Sequence, residues 1–355
     1  MSENKSQSFW SSLPGVITAI AGMITALAIL VTTLANLPSS GTSASPTPTH
    51  AATSAEPARS STTSDSPSPG GSPASTSGPQ VTPPSTASRE IVFFAIRTDP
   101  DTGDRNPDLY AFNTGTEVER RLTTDPHPDS DPASSRDGKR IAFDAFRDPG
   151  DRNLWVLEQD GSYTQLTDDQ RANAYPTWSP DGRRIAWSVG PAGSREIWVM
   201  DARDGSNRKR LATGGDDVWP SWGVNGLIAF ARRVSGSSEI WVVNPDDRAT
   251  TARITVGDGG GADPAWSPNG RSLAFTRVIG GIPRVFVAGA NGHSGLRQLT
   301  PTSSCDCILP TWSPDGTQIA YEGPGRGDRP ILVISAKGGA AKRITTNGLA
   351  PRWGS

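Results

Sequence analysis

The sequence predicts an all-β fold built from repeated four-stranded units, and three observations support this prediction. First, a segment containing Pro-x-Trp recurs through the chain, with the heptapeptide PTWSPDG occurring identically at 176–182 and 310–316. Second, the repeated prolines lie 44, 44, 44, 46 and 41 residues apart, at Pro132, Pro176, Pro220, Pro264, Pro310 and Pro351. Third, residues 89–355 show no sustained helical period. A fixed spacing in the forties is typical of repeat folds such as β-propellers.

Each repeat contains signals for four short strands. The first strand carries Pro-x-Trp and ends in a Pro-Asp-Gly or Pro-Asn-Gly turn, in which Pro fixes φ and Gly takes the positive-φ position. The second and third strands contain runs such as Ile185-Ala-Trp and Ile197-Trp-Val. The fourth follows a polar turn and ends in a segment such as Gln165-Leu-Thr. β-branched and aromatic residues separated by turn residues favour antiparallel strands.

The two ends of the repeat region predict the number of blades. Residues 91–94, 109–112 and 121–123 match the second, third and fourth strands of a repeat and lack a first strand. The terminal segment 350–355, APRWGS, matches a first strand that lacks the other three. Joining these segments completes a sixth blade from both ends of the chain. We therefore predict a six-bladed propeller whose ring is closed by N- and C-terminal strands, which protects the sheet edges.

The repeat resembles the WD40-like PD40 repeat of TolB-type propellers. The resemblance lies in the pattern P-x-W-S-P-D-G-x-x-I-A-F, followed by I-x-V and L-T, and it covers residues 89–355. It implies the β-propeller fold for these residues. TolB proteins of the Tol–Pal system also carry a small α/β domain before the propeller, and this sequence has a different segment there.

The first 88 residues predict three further regions. Residues 1–12 form a cytoplasmic stub, and residues 13–37 form an apolar transmembrane helix long enough to span a bilayer. A cleaved signal peptide is the competing interpretation, although its apolar core would be shorter. Residues 38–88, rich in Ser, Thr, Pro and Ala, form a disordered linker. The charge near the helix places the N-terminus in the cytoplasm and the propeller, 89–355, outside the cell membrane as part of a single-pass protein.

The repeated tryptophans and the variable residues around them predict different roles. Aromatic residues locked to the repeat are expected to pack between blades; they are Trp178, Trp222, Trp266, Trp312 and Trp353. The residue before each repeat proline varies in chemistry and is expected at the start of the innermost strand. These residues, which we call the mouth ring, are Asp131, Tyr175, Trp219, Asp263, Leu309 and Ala350. Aromatic anchors beside polar groups predict that the ring, above all its first five members, binds a partner.

Enzymatic activity is not indicated by the sequence. The chain has 3 histidines, no G-x-S-x-G elbow and no segment that predicts a nucleophile with its base. The acidic segment 125–131 is the best alternative, because Asp125, Asp129 and Asp131 could bind calcium. This alternative describes a calcium-dependent carbohydrate-binding protein, or a hydrolase or lyase, acting at the channel mouth. The main expectation is that no cofactor is needed.

The two cysteines, Cys305 and Cys307, are separated by one residue. Outside the membrane they would tend to form a disulfide, with free thiols and metal ligation as the alternatives. The formal net charge is −2, which lacks the basic excess of a nucleic-acid-binding protein. The leading functional hypothesis is a membrane-tethered, non-enzymatic module that binds a protein or a cell-envelope ligand at the channel mouth. A sensor that reports binding through its short cytoplasmic end is a further alternative.

Overall fold

The computed structural model describes residues 89–98, 103, 105–148, 151–247, 250–255, 260–301, 305–325 and 329–354. The chain divides into two units, Met1–Ser85 and Thr86–Ser355, and all described residues belong to the second. The predicted stub, transmembrane helix and linker lie outside the described residues. Within the described part, no helix is both long enough and apolar enough to cross a membrane.

The described residues form six antiparallel sheets of four strands each. Blade 1 consists of β24 (Leu349–Trp353), β1 (Glu90–Thr98), β2 (Arg105–Asn113) and β3 (Val118–Arg121). Blade 2 consists of β4 (Asp129–Ser134), β5 (Ile141–Asp148), β6 (Asp151–Leu157) and β7 (Tyr163–Gln165). Blade 3 consists of β8 (Asn173–Trp178), β9 (Arg184–Val189), β10 (Glu196–Asp201) and β11 (Lys209–Ala212). The alternation of β-branched and aromatic residues with turn signals explains why each repeat folds as one such sheet.

Blades 4 to 6 have the same order. Blade 4 consists of β12 (Asp216–Trp222), β13 (Ile228–Val234), β14 (Ser237–Val243) and β15 (Ala252–Arg253). Blade 5 consists of β16 (Ala262–Trp266), β17 (Ser272–Ile279), β18 (Ile282–Gly289) and β19 (Arg297–Gln298). Blade 6 consists of β20 (Ile308–Trp312), β21 (Gln318–Glu322), β22 (Ile331–Ser335) and β23 (Lys342–Arg343). The first strand of each blade contacts the first strand of the next. These strands therefore form the inner ring, and the prediction of six four-stranded blades is confirmed.

The ring closes through strand β24, as predicted from the chain ends. β24 pairs with β1, where Ile91 lies opposite Trp353. It also contacts the inner strands of both neighbouring blades, β20 and β4. Trp353 is buried in one core cluster with Ile91 and Phe93 of blade 1 and Ile331 of blade 6. The C-terminal strand thus joins blades 6 and 1 by both hydrogen bonds and apolar burial.

The hydrophobic core lies between blades. Each of the six core clusters combines side chains of two consecutive blades. The repeated tryptophans take part directly: the indole of Trp178 donates to the carbonyl oxygen of Ala133 in the preceding blade at 2.8 Å. Trp312 donates to Ala265 in the same way at 3.1 Å. The prediction that these aromatics pack between blades is confirmed.

The repeated turn is held by a side-chain clasp. In the third blade, the Ser179 hydroxyl donates to Asp181 at 2.6 Å, and Asp181 accepts the backbone N–H of Arg183. Gly182 has φ 68°, which a residue with a Cβ rarely adopts. Equivalent Ser-to-Asp or Ser-to-Asn bonds occur at Ser135, Ser267 and Ser313. The heptapeptide PTWSPDG therefore combines an interblade contact, through Trp, with a turn that sets the direction of the next strand.

Candidate functional site

All six residues of the mouth ring have a left-handed backbone. Their φ values lie between 46° and 58°, although none is a glycine. Each begins a bulge that shifts the register between the first and second strands of its blade. The bulge lies inside the inner strand, so the expected position at the strand's start is corrected by one to three residues. Such a backbone is costly for non-glycine residues and persists only where the surroundings hold it.

The preceding blade supplies part of that support. The backbone N–H of Tyr175 donates to Asp144 at 3.3 Å, that of Leu309 donates to Thr276 at 3.3 Å, and that of Ala350 donates to Glu322 at 2.6 Å. These acceptors share one position, directly after the repeated Ile/Leu-Ala-aromatic run of the second strand. This position was not predicted from the sequence. The signal that could have identified it is a residue that changes from repeat to repeat directly after the conserved type of run, namely Asp144, Ser188, Ala231, Thr276 and Glu322 in successive repeats.

Tyr175 and Trp219 form an aromatic pair on one side of the ring. Their ring centroids are 5.5 Å apart and tilted by 52°. The guanidinium of Arg233 lies 4.5 Å from the Trp219 ring centre, and that of Arg195 lies 5.8 Å from the Tyr175 ring centre. Both arginines also form ion pairs with the buried Asp216. We call this side the aromatic half of the mouth ring.

The rest of the mouth ring is rich in carboxylates. The guanidinium of Arg152 pairs with Asp131 at 2.7 Å and with the fully buried Asp144 at 2.8 Å. The pKa of Asp131 is raised, mainly by burial of the carboxyl group and next by the negative charge of the nearby Asp144. Burial also raises the pKa of Asp263, whose Oδ2 accepts the backbone N–H of Leu309 at 3.4 Å. We call Asp131, Asp263 and the neighbouring Glu322 the acidic half of the mouth.

Arg352 lies among these three carboxylates. It follows Pro351 on the innermost strand and is half-buried. The pKa of Arg352 is lowered, mainly because burial disfavours the charged guanidinium. The negative charges of Asp131, Asp263 and Glu322 raise this pKa and partly offset the effect of burial. At the corresponding position, the other five repeats carry Ala, Thr or Ser. The guanidinium that the C-terminal strand supplies is therefore within electrostatic range of three acids from three other blades.

Glu322 connects the mouth to the segment containing the two cysteines. Glu322 forms an ion pair with Arg329 at 2.9 Å, and Arg329 pairs with Asp306 at 2.9 Å. Burial raises the pKa of Glu322 to about 7. Cys305 and Cys307, on either side of Asp306, are joined by a disulfide and buried in the core between blades 5 and 6. These contacts tie the segment 305–307 to blades 5 and 6.

The acidic segment 125–131 is divided between two arginines. Arg147 pairs with Asp125 at 2.7 Å and approaches Asp129 at 3.4 Å, whereas Asp131 faces Arg152. Burial, followed by the nearby Asp125, raises the pKa of Asp129 to about 7. The three candidate calcium ligands are therefore not brought together around one point. Within the described ranges, no three His, Cys, Asp or Glu side chains are grouped as metal ligands.

Comparison with known proteins agrees with this architecture. Residues 100–260 match the family model of the TolB beta propeller domain, PD40. A Protein TolB homolog of Chlorobium luteolum is 29% identical over 42% of this chain and 34% of its own length. The Tol-Pal system protein TolB of Anaeromyxobacter dehalogenans strain 2CP-C is 40% identical over 26% of this chain and 21% of its own. This chain therefore spans about a third or less of these curated relatives.

The solved structures show the same fold. The crystal structure of TolB from Acinetobacter baumannii aligns with a TM-score of 0.65 and 21% identity, covering 76% of this chain and 67% of that one. The described part of this chain is a TolB-like six-bladed β-propeller. The resemblance predicted from the repeated motif is confirmed for the fold and the domain.

Four exposed apolar side chains of the TolB-like propeller lie on the face where the inner strands begin, and four others lie at the opposite face. Because neighbouring strands are antiparallel, the hairpins β5–β6, β13–β14 and β17–β18 turn at that face. Near those turns lie Phe146, Val234, Val278 and Ile279, which are 37–50% exposed. They lie at the ends of three of the six blades, namely blades 2, 4 and 5. This face, which we call the mouth face, thus combines a variable polar and aromatic centre with apolar projections.

The strained backbone of the mouth ring can be tested at Ala350, which is buried and has φ 46°. We expect Ala350→Val to lower the free energy of unfolding by about 2 kcal/mol, because β-branched residues are strained at positive φ. Ala350→Gly should leave stability unchanged or raise it by up to about 1 kcal/mol, since glycine adopts this φ without strain. Thermal and urea unfolding of the two variants would measure both effects. Equal stability of the Val and Gly variants would contradict the structure.

Proposed function

We propose that this chain is a membrane-tethered, extracytoplasmic protein-binding module whose TolB-like propeller docks a protein partner on its mouth face without catalysing a reaction. The observation that carries the proposal is the mouth ring itself. Six repeats that are alike in their turns and packing carry different side chains at the same strained bulge, around one channel mouth. Loops and special backbone positions on a rigid scaffold are common locations of binding function.

The chemistry of the mouth face supports a protein partner. The Tyr175–Trp219 pair offers large, rigid aromatic surface of the kind that forms binding hot spots. The exposed apolar residues at the hairpin turns extend this surface outward from the ring. The relatives also support a protein partner, because two of them are named as proteins of the Tol-Pal system.

A non-enzymatic role is supported by the positions of the histidines in the propeller. The ring nitrogen Nδ1 of His127 lies 3.1 Å from Asp125, and that carboxylate is already paired with Arg147. His293 lies in the turn after β18, where its backbone N–H donates to Asn291. Neither histidine is held against a serine or cysteine nucleophile in any hydrogen bond of the described residues. The tether and the location outside the membrane depend on the predicted span at 13–37.

Photo-crosslinking in the native cell would test the proposal. A photoreactive amino acid replaces Trp219 on the mouth face, and the control carries the same amino acid at Val224. Val224 is 41% exposed in the first turn of blade 4, at the opposite end of its inner strand. We expect a discrete protein adduct from position 219 and none from position 224. Equal adducts at both positions, or no adduct at 219, would contradict docking at the mouth.

A further inference from the structure

In the aromatic half of the mouth ring, two guanidiniums share one carboxylate. The Nη1 atom of Arg195 lies 3.3 Å from Oδ2 of Asp216, and Nη1 of Arg233 lies 3.5 Å from the same oxygen. One carboxylate group therefore contacts both arginines, although Arg195 directly precedes β10 in blade 3 and Arg233 lies on β13 in blade 4. Asp216 is buried, whereas the side chain of Arg233 is 37% exposed. The three groups together carry one excess positive charge, on the side that solvent reaches.

Arg233 uses little of its hydrogen-bonding capacity. A guanidinium has five N–H donors, and the long contact with Asp216 is the only hydrogen bond of the Arg233 side chain within the described ranges. The neighbouring Arg232 differs, because it forms two bonds of 2.6 and 2.7 Å to Asp217 and its side chain is only 9% exposed. Asp216 already accepts the backbone N–H and the side chain of Arg195, both at 3.2 Å. Arg232 therefore forms a closed structural pair, whereas Arg233 has donors that a ligand can use.

Trp219 holds the Arg233 side chain in position before any ligand binds. The guanidinium lies over the indole, 4.5 Å from the ring centre, and Trp219 in turn contacts the Tyr175 ring. A guanidinium that stacks on an aromatic face keeps its N–H donors along its own edge, where they match the two oxygens of a carboxylate. Because the stack already limits the motion of Arg233, less side-chain entropy is lost on binding.

Nearby carboxylates leave the excess charge on Arg233 in place. Glu196 pairs with Arg210 at 3.1 Å on the outer part of blade 3. Asp263 lies within electrostatic range of Arg233, but burial raises the pKa of Asp263, and no ion pair joins the two within the described ranges. The aromatic half is therefore suited to an additional anionic group.

We propose that the aromatic half of the mouth ring binds an acidic side chain, an aspartate or a glutamate, that the protein partner inserts beside Trp219. The inserted carboxylate accepts hydrogen bonds from the exposed edge of Arg233, with Arg195 as the second cation. The rings of Tyr175 and Trp219 contact the aliphatic part of the inserted side chain. Charge complementarity of this kind selects partners and sets their orientation. This inference rests on the proposed function and specifies the chemistry of the partner at the same site.

A small probe can test the acidic-side-chain site without knowledge of the partner. The full-length chain is labelled with 5-fluorotryptophan, and the Trp219 signal in the ¹⁹F NMR spectrum is assigned with W219F. The probe is Nα-acetyl-glutamate amide, and the control probe is Nα-acetyl-glutamine amide, which has nearly the same shape without charge; sodium chloride keeps the ionic strength equal. We expect the glutamate compound to shift the Trp219 signal with a dissociation constant on the order of 10 mM, as suits a single side chain. The glutamine compound should leave the signal unchanged.

Two arginine variants locate the binding site. R233Q removes the stacked guanidinium and should weaken binding of the glutamate compound about fivefold or more. The matched control is R184Q, because Arg184 also lies over an indole, 4.9 Å from the Trp222 ring centre, and pairs with Asp246 at the opposite end of its blade. R184Q should bind the glutamate compound as the wild type does. If R233Q fails to fold, the wild-type comparison of the two probes still decides the question.

The outcomes separate this inference from the proposed function. Equal shifts with both probes, no shift up to about 100 mM, or wild-type affinity in R233Q would overturn the acidic-side-chain site. Tighter binding of inorganic phosphate than of the glutamate compound would also overturn it, because phosphate has no aliphatic part for the two rings to contact. A Trp219 crosslink found together with any of these results would leave protein docking intact and remove only the inference. Binding of the glutamate compound without any Trp219 crosslink would support the site while contradicting the proposed protein docking.

Discussion

Removing residues 349–355 should abolish folding of the propeller as a stable monomer. The deletion removes strand β24, and with it the inner strand of blade 1 and the contacts with β20 and β4. Trp353, only 6% exposed, would be lost from the cluster that joins blades 1 and 6. Deleting a buried tryptophan side chain alone costs about 3–5 kcal/mol, which is comparable to the entire stability of many domains. The backbone of β1 would also become an exposed sheet edge.

The measurement is a comparison of soluble yield, size-exclusion profile and thermal unfolding between the truncated and intact chains. Trp353→Ala serves as an intermediate variant, because it retains the backbone pairing of β24 with β1. We expect a lowered melting temperature for Trp353→Ala, and aggregated or non-cooperative protein for the truncation. A truncated chain that melts cooperatively near the temperature of the intact chain would show that the ring does not depend on β24.

Much of the fold could be predicted because the sequence repeats its structural signals. Each copy of Pro-x-Trp-Ser-Pro-Asp-Gly uses local chemistry, namely a Pro-fixed φ, a Ser-to-Asp bond and a positive-φ Gly, and local chemistry is visible in the sequence. The pairing of Pro351-Arg-Trp353 with Ile91 and its neighbours could be predicted for a related reason. Five complete copies show what the incomplete first and last copies lack.

The site was less predictable because its geometry depends on neighbouring blades. The positions of Tyr175 and Trp219 on the ring followed from the repeat, but their positive φ did not, since nothing in an aromatic residue before proline predicts it. The acceptor for the Ala350 N–H is Glu322, 28 residues earlier and in another blade. Asp129 and Asp131 are two residues apart, a spacing that places side chains on the same face of a regular strand, yet the bulge between Ser130 and Ala133 sends them to Arg147 and Arg152. Their proposed sharing of a calcium ion assumed that closeness in sequence meant convergence in space.

The free energy of unfolding of this propeller should fall as the pH rises from about 5 to about 8. The reason is the set of buried carboxylates, of which Glu322 and Asp129 have pKa values raised to about 7. In the unfolded chain such groups titrate near pH 4, so between about pH 4 and pH 7 the folded protein holds more protons than the unfolded one. By linkage, the contribution of these groups to the free energy of unfolding is complete below the pKa of the unfolded chain. It is lost as the pH rises through the pKa of the folded protein. The two groups together account for on the order of 2–5 kcal/mol between pH 5 and pH 8.

The aspartates of the repeated turns should reduce the free energy of unfolding again at more acidic pH. Hydrogen bonds from Ser135 and Ser179 are the largest factors that lower the pKa values of Asp137 and Asp181. A lowered pKa contributes stability above the unfolded value, and this contribution is lost as the pH falls through the folded value. Stability should therefore decline again below about pH 4, which leaves a maximum on the acidic side of neutrality.

Single neutral variants decide whether the buried carboxylates are the cause. E322Q keeps a side-chain oxygen that can accept the Ala350 N–H, and D129N keeps the shape of the fully buried Asp129. Each should narrow the stability difference between pH 5 and pH 8 by about 1–2 kcal/mol, because the substituted group can no longer exchange its proton. D246N, at an exposed carboxylate, should leave the pH profile as it is in the wild type. The measurement is urea unfolding at each pH, with tryptophan fluorescence as the probe. A wild-type profile that is flat or rises towards pH 8 would mean that Glu322 and Asp129 remain ionised throughout, and that Arg329 and Arg147 compensate for their burial in full.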